Sequence, residues 1–477
     1  MVPLEILACL AGLLGLATAF TPLPGWLRVT TALAAVAASG AALAVAPVRW
    51  QLVPVLVGAL LLLLAVGAGL DHRRAGVRAT VIGATTLAMV IGAALLALMP
   101  LRFLPAPTGA HRIGTTVLSV TDGSRPEIFL PGSGRPRTLT VQLWYPTDAA
   151  GGRAEPYLRD PHATDGLADY AGLPHFLLAY LHAARTHAIT DAPIVSGERL
   201  PVVFVLTGNL GLRQSQMVQV EELASHGYLV VGLDQPGTAS SALLLDGTRV
   251  PYAGAAMLKP AIDQSIEPAP TVPTVNGIAY PEGLASYLAA DPRAVLDHLT
   301  TLNAGDGALG GRLDLTRVGA TGVSLGGYEL AQWCATDSRL RACEFLDAPM
   351  PRDAVVSGLD APALWLTRPA SDMIREGWPP VEVRHYDGTQ RAVYANTSAP
   401  AWYVTVAGVL HADLTDAPFG SPLFAWSGMT SASGDHVHEV MRSVTLAFFD
   451  TTLRGATPGP VLDGSPGWSD VAVESHP

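Results

Sequence analysis

The chain has 477 residues, 49% of them hydrophobic and only 14% charged, with a formal net charge of −11. That length holds one large domain or two to three ordinary ones, and the apolar excess sets it apart from ordinary soluble proteins. Up to Arg102, six arginines oppose Glu5 and Asp71, a net of +4, so the remainder carries −15 and lacks the basic face that nucleic acid needs.

Four charge-free stretches come first, at 6–27, 29–48, 50–70 and 79–101. About 20 apolar residues cross a bilayer core. The first stretch is cut by Pro22, Pro24 and Gly25, so its helix is expected to end near Phe20. A signal peptide is the competing reading, but Glu5 stands where a basic n-region belongs. The expectation is a transmembrane region over 1–104 with about four helices. None of the stretches has a polar face, which argues against buried helices of a soluble core. None carries an internal charge, which argues against a transporter. Arg28, and Arg73, Arg74 and Arg78, mark the first and third connections, while Arg49 marks the second. The positive-inside rule then puts the rest of the chain outside the cytoplasm, against the contrary sign of Arg102 and Arg112.

From 110 to 456 the pattern alternates between strand and helix. Strands are expected at 115–121, 138–145, 201–206, 228–233, 317–321, 342–346, 363–366 and 402–406. Helices are expected at 214–225, 293–302, after 324 and at 436–453. This predicts an α/β fold, a mostly parallel sheet with helices on both faces. Insertions near 154–198, with a helix around 176–184, and near 240–291 are candidate lids. For the Pro-rich "IEPAPTVPTV" a disordered insert is the competing reading. Residues 457–477 read as a C-terminal tail.

Gly322, Ser324 and Gly326 form G-x-S-x-G. Alone the motif is weak. Here "RVGATG" reads as a strand entering it and "LGGYELAQWCA" as a helix leaving it, the setting of a strained nucleophile turn. A serine needs a base. His411 follows the strand at 402–406, whereas His436 and His438 suit surface or capping roles. The carboxylate that orients the base is Asp347, at the end of "ACEFLD", or Asp372, after the next strand. Oxyanion donors are the Leu325 N–H and, from "TGNLG", the Asn209 N–H, with Leu210 as the alternative. Cys334 and Cys343 leave two readings open, one disulfide of an exported domain or two small buried side chains. Without H-E-x-x-H, a Walker lysine or a dinucleotide G-x-G-x-x-G, no metal or other cofactor is implied. Lys259 is the only lysine, and arginine with abundant Ala and Gly points to a GC-rich bacterial source.

From Ala110 to about Arg454 the chain resembles the plasma-type platelet-activating factor acetylhydrolases and their bacterial relatives. The likeness rests on "TLTVQLWYPT", "LPVVFVLTGNLGLRQ", "ELASHGYLVVGLDQPG", "GVSLGG", "LDAPM" and "VTVAGVLHADLTD". The resemblance implies an α/β-hydrolase that is calcium-independent and cleaves short acyl groups from phospholipids. It favours Asp347 as the acid. Polyester hydrolases of the cutinase type look similar around "RQS" and "LASHGY" and keep Asp372 open. The family's oxyanion loop has His where this chain has Thr207, and its elbow often has His and Phe where Val323 and Leu325 stand. The secreted enzymes have no counterpart of the first hundred residues. The expected function is a membrane-anchored serine ester hydrolase acting on lipid esters. A polyester or cutinase-like esterase, an acyltransferase and a non-catalytic membrane-anchored binding domain on a hydrolase fold are the alternatives.

Overall fold

Four apolar helices lead the chain: α1 (Pro3–Ala19), α2 (Gly25–Val45), α3 (Val53–Gly67) and α4 (Ala75–Leu98). The structure is a computed structural model that describes residues 3–46, 48–69, 75–101, 104–197, 199–465 and 467–477. Asp71, Arg73, Arg74, Arg102 and Glu198, which entered the sequence reading, lie outside the described residues. Among the described residues, three helical segments are long and apolar enough to cross a membrane: Gly25–Val45, Trp50–Gly67 and Ala75–Leu98. The first helix is the exception. Its 17 residues span about 25 Å at 1.5 Å per residue, short of a hydrocarbon core of about 30 Å. The chain turns at Thr21, two residues after the helix ends, ahead of Pro22 and Pro24.

The helices pack through small residues. A Cβ on Gly58 would come within 3.0 Å of Met89 Cγ, and one on Gly15 within 2.9 Å of Leu62 Cδ2. Such close backbone approach is how apolar helices associate without a hydrophobic driving force. At one end of the bundle Arg78 donates to the Phe20 carbonyl at 2.9 Å. At the other end Arg49 is buried, with Nε on Glu5 at 2.6 Å and Nη1 on the Met99 carbonyl at 2.7 Å. The α/β part meets this second end: Ser421 Oγ donates to the Leu98 carbonyl at 2.6 Å, and Phe176 packs edge-on to Trp50 at 5.4 Å.

Eleven strands form the main sheet: β1 (Arg112–Pro126), β2 (Pro136–Thr147), β3 (Ala154–Pro156), β4 (Arg185–Thr190), β5 (Leu200–Leu206), β6 (Leu229–Asp234), β7 (Leu313–Val323), β8 (Leu340–Leu346), β9 (Ala363–Thr367), β10 (Ala401–Val406) and β11 (Val471–His476). Their spatial order is β11-β10-β9-β8-β7-β5-β6-β2-β1-β4-β3. Every pairing from β6 across to β10 is parallel. On one flank β2 pairs antiparallel with both β6 and β1, and on the other β11 pairs antiparallel with β10. The longer helices of this part are α5 (Met217–Ser225), α6 (Ala255–Ile266), α7 (Ala285–Ala304), α8 (Leu325–Thr336) and α9 (Gly434–Arg454). Strand β5, "LPVVFVL", is buried at every residue because helices cover both faces. Val203 and Val205 pack with α5 and α9, while Val202 and Phe204 pack with α7 and α8. The architecture is an α/β-hydrolase preceded by apolar helices.

Two expectations change, and one open alternative is decided. The tail after 456 is not merely a tail, because Val471–His476 pairs antiparallel with β10 and closes that edge of the sheet. The first insertion adds β3 and β4 to the opposite edge, and its expected helix at 176–184 is two 3₁₀ turns, His175–Leu177 and Ala179–Ala183. The Pro-rich insertion is ordered: Gln264 Oε1 accepts from the Ala269 N–H at 2.9 Å, and Asn276 donates to the Ile128 carbonyl at 2.8 Å. Cys334 in α8 and Cys343 in β8 are joined by a disulfide, with Cα atoms 6.6 Å apart.

Candidate active site

The predicted residues converge on the C-terminal ends of the parallel strands, where open α/β sheets bind ligands. Ser324 stands between β7 and α8 at φ 54°, ψ −118°, a left-handed conformation that costs a non-glycine residue energy. The surrounding sequence leaves no other room. A Cβ on Gly326 would collide with the Leu206 carbonyl, and one on Gly322 with the backbone of Gly326. The turn is pinned by the Ser324 N–H, which donates to the Leu346 carbonyl at 3.0 Å.

Asp347 follows β8, is fully buried, and also has a positive φ of 42°. Its Oδ2 lies 2.7 Å from Nδ1 of His411, a residue on the loop after β10. Oδ1 accepts from Thr367 Oγ1 at 2.9 Å, and Oδ2 also accepts from Arg368 Nε at 2.8 Å. Burial pushes the Asp347 carboxyl up, but the His411 hydrogen bond and the Arg368 charge outweigh it and hold the group below the ordinary carboxylate range. Asp372 has different partners. It accepts the Gly408 N–H at 2.7 Å and pairs with Arg375 at 2.9 Å, so it binds the backbone of the loop that leads to His411 rather than the ring.

The Ser324 hydroxyl is not hydrogen-bonded to His411 among the described residues. Its partner is the Tyr386 hydroxyl at 3.2 Å. The Tyr386 and Trp378 rings both pack edge-on to the His411 ring, with centroids at 5.8 and 5.1 Å. Burial raises the Tyr386 phenol above its ordinary value, so it stays protonated and can donate. The loop after β5 approaches closely, since a Cβ on Gly208 would lie 3.1 Å from Ser324 Cβ. The Leu210 N–H donates to the Thr238 carbonyl at 2.8 Å, which removes it as a free donor. The N–H groups of Asn209 and Leu325 have no acceptor among the described residues.

Residues 101–244 match the sequence profile of the family described as platelet-activating factor acetylhydrolase, isoform II. The structure of a ferulic acid esterase from Streptomyces cinnamoneus is similar at a TM-score of 0.61 and 26% identity, covering 78% of this chain and 98% of that one. The chain is thus similar to the platelet-activating factor acetylhydrolases over that stretch, and its fold is that of an α/β-hydrolase. No curated protein matches it. The profile match covers β1 to β6 and the loop with Asn209, and ends before Ser324.

Sequence reasoning missed four groups around the site: Thr367, Arg368, Trp378 and Tyr386. Thr367 and Arg368 end "ALWLTR", and polar residues just past a buried strand were a usable signal. Tyr386 lies in the helical turn Arg384–Gly388 and Trp378 in the connection after the helix Ala370–Arg375, both between β9 and β10, where no periodic pattern points at the site. His438, expected at the surface, is buried on the inner face of α9 with Nε2 2.8 Å from the Thr415 carbonyl, and burial pushes its imidazole down to about 4.

Proposed function

We propose that the chain is a membrane-anchored serine esterase in which Ser324 attacks the ester carbonyl. His411 takes the serine proton and returns it to the leaving alcohol. Asp347 holds the imidazole tautomer and stabilises the imidazolium. The N–H groups of Leu325 and Asn209 bind the oxyanion, and water then deacylates the enzyme. The observation that carries this reading is the 2.7 Å contact between Asp347 and His411 at the strand ends that also present Ser324 on its strained turn. The engagement of Asp372 with the Gly408 N–H favours Asp347 over it. The resting Ser324–Tyr386 hydrogen bond must give way before His411 can accept the proton.

The four helices anchor residues 110–456 to the cell membrane, with Arg28 and Arg78 on the cytoplasmic side and the α/β part outside. Arg78 lies at the bundle end away from the α/β part, which supports that sense. A tether beside lipid headgroups supports a phospholipid or other short-acyl lipid ester as substrate. The Trp378 and Tyr386 rings beside His411 favour a second reading, an ester with an aromatic acyl group, as the neighbour's name also suggests.

The test is burst-phase hydrolysis of a short-chain activated ester by membranes carrying wild type, Ser324→Ala, Asp347→Asn or Asp372→Asn. Ser324→Ala abolishes the burst. Asp347→Asn lowers turnover by about 10³–10⁴-fold, the scale of removing the orienting carboxylate. Asp372→Asn retains most activity. Equal activity of wild type and Ser324→Ala would defeat the reading.

A further inference from the structure

Two surface segments flank the helix ends and expose large apolar side chains. Segment 165–176 carries Leu167, Tyr170, Leu173 and Phe176, with Tyr170 66% and Phe176 54% exposed. Segment 422–429 carries Met429 and Trp426, the latter 71% exposed. Both are fixed at the ends of membrane-length helices. Phe176 packs edge-on to Trp50, the first residue of the span Trp50–Gly67. Ser421, one residue before the second segment, donates to the carbonyl of Leu98, the last residue of the span Ala75–Leu98. The chain just after the first segment is tied to the chain just before the second, since the Tyr180 hydroxyl donates to the Gly420 carbonyl at 3.2 Å. Apolar exposure clustered this way marks an interaction surface. Tyrosine and tryptophan at the end of a span sit at the headgroup level.

We propose that segments 165–176 and 422–429 form a paired rim that dips into the headgroup–acyl boundary of the bilayer the helices cross. The inference rests on the membrane-anchored esterase reading and adds how substrate arrives. Segment 422–429 follows the His411–Leu414 turn by a few residues, so the rim puts the lipid surface beside the His411 loop. An ester then enters from the leaflet rather than from bulk water. Asp165 and Asp169 on the first segment, and the −15 carried by the chain after Arg102, select a zwitterionic surface over an anionic one.

The test uses the full chain in phosphatidylcholine vesicles. In a Cys9→Ala background, Tyr170→Cys, Trp426→Cys and the control Val356→Cys each receive a bimane label. Phosphatidylcholine with a spin label near the headgroup, or deep in the acyl chain, serves as quencher. The rim predicts quenching at 170 and 426, stronger from the shallow label, and none at 356, which is 75% exposed and belongs to neither segment. Quenching at neither rim position, at only one, or equally at all three overturns it. In parallel, Tyr170→Ser with Trp426→Ser raises KM for a vesicle-embedded ester about tenfold and leaves hydrolysis of a water-soluble ester unchanged. An unchanged KM for the embedded ester also overturns the rim. Wild type inactive on both esters would remove the esterase reading, while the quenching result still decides the rim.

Discussion

In the helical region, the contacts between helices are close. Gly92 lets Val55 so near that a Cβ at 92 would come within 2.5 Å of Val55 Cγ2, and Arg49 on Glu5 seals the end toward the α/β part at 2.6 Å. The ends of β7 to β10 bury charge as deeply, yet leave one contact open. Asp347 is fully inaccessible and held by Thr367 and Arg368, while the His411 ring it touches keeps a quarter of its surface exposed. The first arrangement uses an ion pair to fasten elements together. The second uses one to fix the direction of a ring that solvent and substrate can reach. The difference separates structure from chemistry: a change in the helices should alter stability with little effect on turnover, and a change at the strand ends should do the reverse.

The largest effects are the losses stated for Ser324→Ala and Asp347→Asn. On the other side of the comparison, Arg49→Leu removes the guanidinium from its 2.6 Å pair with Glu5. Removing one member of a buried pair costs about 3–5 kcal/mol, so thermal unfolding in detergent should shift sharply down while turnover per folded molecule stays near wild type. A fall in turnover without loss of stability would break the distinction between the two regions.

A smaller effect concerns a carboxyl beneath the site. Glu344 in β8 is buried, accepts from Thr445 Oγ1 at 2.8 Å, and is pushed up to about 7 by burial. A carboxyl raised on folding keeps its proton longer in the folded chain than in the unfolded one. Folding is therefore penalised as pH rises from the unfolded value of about 4.3 through the folded one, and the full penalty applies above it. Glu344→Gln should stabilise the protein by about 1–3 kcal/mol at pH 8 and by little at pH 5. Equal effects at both pH values would show that Glu344 does not titrate in this window.

The smallest effect is that of Tyr386→Phe, which removes the resting partner of Ser324. One neutral hydrogen bond contributes about 0.5–1.5 kcal/mol, so kcat should change by about tenfold or less. A rise would mean that the phenol mainly holds the serine back, and a fall that it assists the reacting atoms.

Much of the fold was legible because the central strands are unbroken apolar runs and helices α5, α7, α8 and α9 carry clear apolar faces. Strands β4, "RTHAIT", and β11, "VAVESH", were not, because short edge strands of mixed polarity read like loops. The G-x-S-x-G turn and the histidine after β10 were legible from their place at strand ends. Asp347 and Asp372 were not separable by that criterion, since both follow a strand. What distinguishes them is the turn at φ 42° and the Gly408 N–H, and neither has a sequence signature. Tyr386 and Trp378 were illegible because tertiary packing alone brings their segments over His411.

The most direct measurement is labelling of intact membranes with a fluorophosphonate, with the modified peptide identified by mass spectrometry. The account predicts one adduct on Ser324 in wild type, retained in Asp372→Asn and strongly slowed in Asp347→Asn. An adduct on another serine, or labelling of Ser324 that survives Asp347→Asn but is lost in Asp372→Asn, would contradict it.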